Sequence, residues 1–420
     1  VKQIPTPRRI VLAVLTSGSY GREVVQGVQD YASRFARHWQ FHFEGACNHP
    51  EVFHRVRLAV TEWHAHGMLG QLLQGRMPVI VRQSGLPVVN VSTSKATAMP
   101  SVLVDDALVG QMAARYLQNL GVRRFAFAGR AGRIYSSQRA EAFRSVLSAD
   151  GIPCLFFQPN PTRHLTWLHE YRQLMAWLRK LPRPIGILAC DDPRGGDVLQ
   201  ACHALGLRVP EDVAVLGIDN DETTCMLSVP SLSSVIVPSR MIGFRAAELL
   251  ARLMDGAPSP VQPIRLPPAG VATRLSTDVS AVEDPDAAAA LRFIHQQVGR
   301  PISVRDVLAA VPQSRKTLER RFTDLLGRTP KQEIRRVQIE RAQALLAQTD
   351  LKIQAVAAQT GFRRYALFVK HFHAQMGLSP SVYRAQNRCT RHPLRTAEGR
   401  SASAPKKTTA RKQSRTRSAD

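Results

Sequence analysis

The sequence is short of several kinds of residue, and each shortage excludes a class of protein. Six cysteines in 420 residues (Cys47, Cys154, Cys190, Cys202, Cys225, Cys389) form no C-x-x-C pair and no Cys/His cluster at zinc spacing. That excludes a disulfide scaffold and a zinc finger, and no metal is expected. No stretch offers the roughly 18 uncharged apolar residues of a membrane helix. The most apolar early run, residues 10–15, is too short for the core of a signal peptide. The expectation is a cytoplasmic chain with no membrane partner. No Walker A occurs, "GRAGR" is not G-x-G-x-x-G, and "SGSYG" lacks the Gly-x-Ser-x-Gly spacing. No cofactor and no catalytic residue are therefore assigned, and an enzyme is not expected.

Acidic residues are scarce too. Asp and Glu number 32 against 57 Lys and Arg, a net charge of +25. A field of that sign draws phosphate polymers. Its placement is more telling than its size. Residues 301–420 carry 25 of the basic residues and eight of the acidic ones, so +17 of the +25 sits in the last 120 positions. That is the pattern of a DNA-binding end.

Over residues 10–275 short β-branched runs alternate with amphipathic stretches. Strands are expected at 9–16, 124–129, 185–190 and 213–218, short apolar runs stand at 67–72 and 86–92, and helices are expected at 20–37, 108–121, 137–150, 196–206 and 238–255. Strands apolar on both faces argue for parallel sheets covered by helices. Ligands of such sheets bind at the carboxyl ends of the strands, here 16–22, 129–139, 190–194 and 219–223. Those ends hold Tyr20 and Arg22, Arg139, Asp191 and Arg194, and Asp219 and Asn220. Carboxylates and guanidinium groups around a cleft with an aromatic ring suit a polyhydroxylated ligand. Asp105 or Asp106 is also open to a plainer reading as a helix N-cap.

Prolines at 258, 260, 263, 267, 268 and 285 interrupt the alternation and mark a boundary. The expected division is 8–275, a linker over 276–286, an all-helical part over 287–388, and a disordered basic tail over 389–420. The helical part reads as two successive helix-turn-helix units about a long spacer helix, 330–348. Leu318 and Phe322 face inward in the first, Phe368 and Phe372 in the second, and Gly361 supplies a left-handed turn. Two recognition helices on one body suit adjacent major-groove segments.

The run "AVAAQTGFRRYALFVKHFHAQMGLSPSVYRAQ" resembles the signature of the AraC family of transcription regulators, through Ala357, Gly361, Phe362, Phe368, Phe372, Gly377, Ser379, Pro380, Tyr383 and Arg384. "SRKTLERRFTDLLGRTP" resembles the other half of that family's double helix-turn-helix. Leu367 stands where the family usually has an aromatic residue, and Pro312 where a small one is usual. The resemblance implies double-stranded DNA as a partner. It places base-reading faces at Lys316, Thr317, Glu319 and Arg320, and at Arg364, Tyr365, Ala366, Val369 and Lys370. Arg315 lies beside the first face, and Arg321 and Arg363 suit phosphates.

"VDDALVGQMAARYLQNLG", "RRFAFAG", "RAEAF", "LRVPEDVAVLGIDNDE" and "PSLSSV" resemble the sugar-binding core of the LacI and ribose-binding-protein group. This implies a two-lobed, periplasmic-binding-protein-like α/β domain of parallel sheets, followed by the all-α double helix-turn-helix domain. Arg139, Asp191 and Asp219 match the group's ligand-contacting positions. The xylose operon activators join these two parts, and the chain over 8–388 resembles them. The resemblance implies a sugar-responsive activator of sugar-catabolism genes, with D-xylose as effector, RNA polymerase as partner and a homodimer as the working form. Three other readings stay open here: the same machine sensing another monosaccharide or polyol, or repressing; a DNA-tethered sugar-modifying enzyme; and an architectural DNA binder whose N-terminal domain only dimerises and takes no ligand.

Overall fold

The computed structural model describes residues 7–45, 50–72, 77–93, 99–157, 166–277, 284–311, 313–349 and 351–387. The expected tail, most of the expected linker, and Pro312 lie outside the described residues.

The chain first builds one lobe from β1 (Arg8–Ala13), α1 (Ser19–Phe35), β2 (Trp39–Glu44), α2 (Pro50–Thr61), β3 (Gly67–Gly70), α3 (Met77–Ser84), β4 (Val88–Asn90) and β5 (Val102–Val104). It then crosses into a second lobe: α4 (Asp106–Asn119), β6 (Phe125–Ala128), α5 (Ile134–Ala149), β7 (Cys154–Phe157), α6 (Trp167–Lys180), β8 (Ile185–Ala189), α7 (Asp192–Ala204), β9 (Val213–Ile218), α8 (Glu222–Leu227) and β10 (Ser233–Ile236). It returns to the first lobe for α9 (Ser239–Met254) and β11 (Ile264–Leu266), and re-enters the second for β12 (Gly270–Ala272) and a 3-10 turn at Leu275–Thr277.

The first lobe's sheet runs β2-β1-β3-β4, all parallel, and the second runs β12-β10-β9-β8-β6-β7 with β12 alone antiparallel. β5 and β11 pair with each other in parallel, beside two of the crossings. Every residue of β3, β6, β8 and β9 is buried, as strands covered on both faces must be. The elements that sequence patterning does not single out include β2 and β7, both sheet edges. β7 leaves Leu155 and Phe156 partly exposed, so it carries no buried apolar run to read. α7 begins at Asp192 rather than near 196, because the Asp191 side chain accepts from the Arg194 N–H and a proline sits in the first turn.

The C-terminal part is α10 (Pro285–Gln296), α11 (Val304–Ala310), α12 (Arg315–Leu326), α13 (Pro330–Gln348), α14 (Ile353–Gln359), α15 (Tyr365–Met376) and α16 (Pro380–Asn387). Ser314 caps α12, and α13 opens on a capping box of Thr329 and Gln332 with Pro330 behind it. Gly361 takes φ +78 between α14 and α15, and a Cβ there would fall 2.3 Å from the Arg300 carbonyl oxygen. Only glycine meets both demands. The two units differ in how they are packed. Val307, Val311, Leu318, Phe322, Ile334 and Val337 belong to one core that continues into both sensor lobes. Phe362, Phe368, Phe372 and Tyr383 form a separate one with α13 and α14.

Candidate functional site

The carboxyl ends of the two sheets face each other across a cleft whose centre is Arg139, on α5. The residue is 4% exposed. Its Nε donates to Asp106 Oδ1 at 2.7 Å and its Nη1 to the Cys190 carbonyl oxygen at 2.6 Å. Its Nη2 stands 3.6 Å from Asp219 Oδ1, beyond a hydrogen bond. The Tyr135 ring lies 5.0 Å from the guanidinium carbon. Arg139 is held in place by close helix packing: a Cβ on Gly110 of α4 would come within 2.5 Å of the Arg139 carbonyl oxygen. Thr93, from the first lobe, donates to the other oxygen of Asp106 at 3.0 Å. Tyr20 donates to the Val91 carbonyl oxygen at 2.5 Å.

Asp219 is different in kind. It follows β9 with φ +111, and Asn220 follows with φ +55. Two successive non-glycine residues with positive φ store strain, which persists where the surroundings enforce it and recurs at binding sites. Burial pushes the Asp219 carboxyl well above the usual carboxylate range; Arg139 opposes the shift, and Asp192, Asp191 and Asp106 add to it. Asp192, beneath the loop, is raised to about 7 by burial, although Ser234, the Asp221 N–H and Cys225 donate to it. Burial also lifts the Tyr20 hydroxyl above its ordinary range, helped by Asp106 and Asp219.

The other expected cleft residues are distributed as follows. Asp191 is nearly buried and spends its carboxylate on Arg130, on the Tyr135 hydroxyl at 2.9 Å and on the Arg194 N–H at 2.8 Å. It caps α7 and also holds the Tyr135 hydroxyl. Arg194 is not brought into the group around Arg139. Its guanidinium bonds Glu170 and Asp197 and lies over the Phe157 ring, so it braces the wall that carries Asp191. The Asn220 carboxamide oxygen accepts from Arg274 at 2.8 Å and is likewise occupied. Arg22 is half exposed at the mouth, donating to the Thr16 and Ser17 carbonyls. Across that mouth the Ser19 N–H donates to Asp221 Oδ2 at 3.0 Å, a contact between lobes. Of the adjacent aspartates, Asp105 is the N-cap of α4, while Asp106 faces Arg139. Asp106, Tyr135 and Arg130 are the cleft residues that motif reading passed over; only the doubled aspartate hinted at the first.

On the helical part, Arg315, Lys316, Arg320, Arg363, Arg364, Ala366 and Lys370 are exposed, and Tyr365 is 45% exposed. Thr317 is partly buried and its N–H is capped by Ser314. Glu319 is paired with Arg315 at 2.9 Å along α12. Two expectations need correction. Arg321 does not stand free for phosphate: it donates to Asp284 and Asp286 at the start of α10, at 2.8 and 2.7 Å. Val369 is half buried against the second unit's core, so it has less surface to present to a base. Leu367 is 43% exposed, which is why an aliphatic side chain is tolerated there. Burial, then the charges of Arg335, Lys370 and Lys331, holds His371 below the usual histidine range, as expected within a basic face.

Comparison with known proteins places both parts. A periplasmic binding protein-like domain matches residues 114–277, and a helix-turn-helix domain matches residues 308–386. The xylose operon regulatory protein of Escherichia coli K12 is 32% identical over 388 residues, covering 90% of this chain and 97% of that protein. The chain belongs to the xylose operon regulatory protein family. The Haemophilus influenzae member is 30% identical over 384 residues, covering 90% of this chain and 98% of its own. The structure of the xylose-binding transcription activator xylR matches with a TM-score of 0.59 at 31% identity, over 91% of this chain and 99% of that one. The transcriptional regulator CelR–cellobiose complex, at 24% identity and a TM-score of 0.54 over 65% of this chain, shares the sensor fold.

This is a family of regulators rather than enzymes, so the tethered-enzyme reading falls. Among the described residues of this family member, no group of three or more His, Cys, Asp or Glu is placed to hold a metal ion. Nor is any described helix long and apolar enough to cross a membrane.

Proposed function

We propose that the protein is a D-xylose-responsive, sequence-specific DNA-binding regulator that activates sugar-catabolism genes. The observation that carries the sugar assignment is the Arg139–Asp219 pair. One nitrogen of Arg139 is left unmatched in front of a carboxylate held in strained backbone. A single sugar hydroxyl accepts from that nitrogen and donates to Asp219, so the gap of 3.6 Å becomes two charge-assisted hydrogen bonds. Tyr20 and Tyr135 supply ring faces for the sugar's C–H side, and Arg22 stands at the entrance. Asp191, Arg194 and Asn220 act as supports that fix the wall and the strained loop. Xylose is chosen among sugars because the similar full-length proteins are named for it.

In this reading residues 8–275 are the sensor, 276–286 the linker, 287–388 the DNA-binding part, and 389–420 a tail that adds sequence-neutral affinity through its positive charge. α12 and α15 enter successive major-groove segments, with Lys316, Arg320, Arg364 and Lys370 as the principal readers. The working form is a cytoplasmic homodimer on paired half-sites, and bound dimers recruit RNA polymerase. Calorimetric titration of the purified chain with D-xylose, other pentoses, hexoses and polyols tests the reading. Saturable xylose binding supports it. Binding of a different sugar alone replaces the effector, and binding of none removes the sensor assignment.

A further inference from the structure

We infer that α4 is the rod that carries the state of the sugar cleft to the DNA-binding part, and that Arg328 is the residue that receives it. The inference rests on the reading of the cleft as the effector site. α4 has one end in each place. Its first residue, Asp106, is bonded to Arg139 of the cleft. Its last, Asn119, offers both its side-chain and backbone oxygens to Arg328; the Nη1–Oδ1 distance is 2.9 Å. Fourteen residues at about 1.5 Å each make a rigid link of about 20 Å.

Arg328 lies in the three-residue turn between α12, the first recognition helix, and α13, the spacer that both units share. Its Nε donates to Glu333, which is fully buried in the first turn of α13 and also accepts from Arg336 at 2.7 and 2.9 Å. Burial alone would raise Glu333, but Arg336, His295 and Arg328 hold it well below the usual carboxylate range. The carboxylate is thus a fixed anchor, and a shift of Asn119 reaches α12 and α13 through one planar guanidinium. A cation on the last carbonyls of α4 is favoured by the helix dipole as well.

Two further contacts tie α4 to the helical part. Arg123, just beyond α4, donates to the Asp324 carbonyl oxygen of α12 at 3.4 Å. Tyr116 of α4 bonds the hydroxyls of Thr273 and Thr277, both at 2.9 Å, at the root of the segment leading to α10. The first unit shares its core with the sensor and the second does not. The first unit is therefore the one the sugar repositions most directly; the second is tied to the sensor by the Tyr383 hydroxyl, which donates to the Ala269 carbonyl oxygen at 3.1 Å, and shares α13 with the first.

The test uses the full chain and a duplex recovered by selection on it, with DNA affinity measured with and without saturating D-xylose. Arg328→Gln and Asn119→Leu remove the link, and Asn119→Asp keeps an acceptor for Arg328. The wild-type ratio of the two affinities is expected to be roughly fivefold or more. It should collapse toward one in the first two variants and persist in Asn119→Asp. Xylose affinity without DNA should be unchanged in all three. An undiminished ratio in Arg328→Gln and Asn119→Leu, with xylose still binding, overturns the rod alone. If xylose does not bind the wild type at all, the cleft reading falls and takes the rod with it.

Discussion

The guanidinium of Arg139 and the carboxylate of Asp219 face each other at 3.6 Å, too far for a hydrogen bond and close enough for one hydroxyl to touch both. The same guanidinium is firmly bonded to Asp106, so its position does not depend on a ligand. The site is built in advance on one side and left unmatched on the other.

Asp219→Asn tests the unmatched side. Asparagine tolerates positive φ as well as aspartate does, so the loop keeps its shape. What is lost is the charged acceptor, worth about 1.5–3 kcal/mol. Sugar affinity should fall roughly 10- to 150-fold in calorimetry, with the unfolding midpoint of the free protein little changed.

Arg139→Ala tests the built side. It leaves Asp106, which is 1% exposed, without its cation. Breaking a buried pair by removing one partner costs about 3–5 kcal/mol. Urea denaturation should show a loss of that size, and sugar binding should vanish. Unchanged stability would mean that Asp106 finds other partners.

These contacts mark the limit of what the sequence discloses. β1, β8 and β9 are legible because they are continuous apolar runs, and the loops at their ends follow from that. Arg139 and Asp219 are legible through the resemblance of "RAEAF" and "GIDNDE" to sugar binders. What one dimension conceals is where a long side chain goes. Arg194 and Arg321 are arginines in the expected places, yet Arg194 is drawn to Glu170 on α6 and Arg321 to Asp284 and Asp286 at the start of α10, carboxylates that sequence does not show to be near. Asp105 and Asp106 are chemically identical; the start of α4 makes the first its cap, while the packing of α4 on α5 turns the second to Arg139. Arg328, beside Gly327, reads as an ordinary turn residue until Asn119 is seen against it.

Stability should depend on pH through Asp192. Its folded value of about 7 lies above the ordinary 3.8, so its contribution is fully present below about pH 4. It is lost as pH rises through 7, by on the order of a few kcal/mol. Between pH 4 and 8 the midpoint of thermal unfolding should therefore fall more steeply in the wild type than in Asp192→Asn. Glu23, also raised to about 7 by burial, titrates in the same window in both proteins and cancels in the comparison. Parallel curves would refute the buried-acid account.

Arg320 and Arg321 are adjacent but should behave oppositely. Arg320→Ala removes an exposed side chain on α12 and should weaken binding to the selected duplex by about 1–3 kcal/mol, with little effect on random DNA. Arg321→Ala breaks the tie to Asp284 and Asp286, which is partly exposed, and should lower stability by up to about 1 kcal/mol. Fluorescence anisotropy and thermal unfolding of the two variants separate the roles. Equal loss on specific and random DNA for Arg320→Ala would contradict its assignment as a base reader.

In this reading the cleft around Arg139 and Asp219 is a sugar sensor. Thermal unfolding of the full chain in the presence of D-xylose tests it most directly, because a ligand that binds only the folded state must stabilise it. At a hundred times the dissociation constant the gain is about 2.7 kcal/mol, a rise in midpoint of several degrees. The rise is expected in the wild type and is expected to shrink to about half or less in Asp219→Asn at the same sugar concentration. An identical rise in both proteins, or none in the wild type, would contradict it.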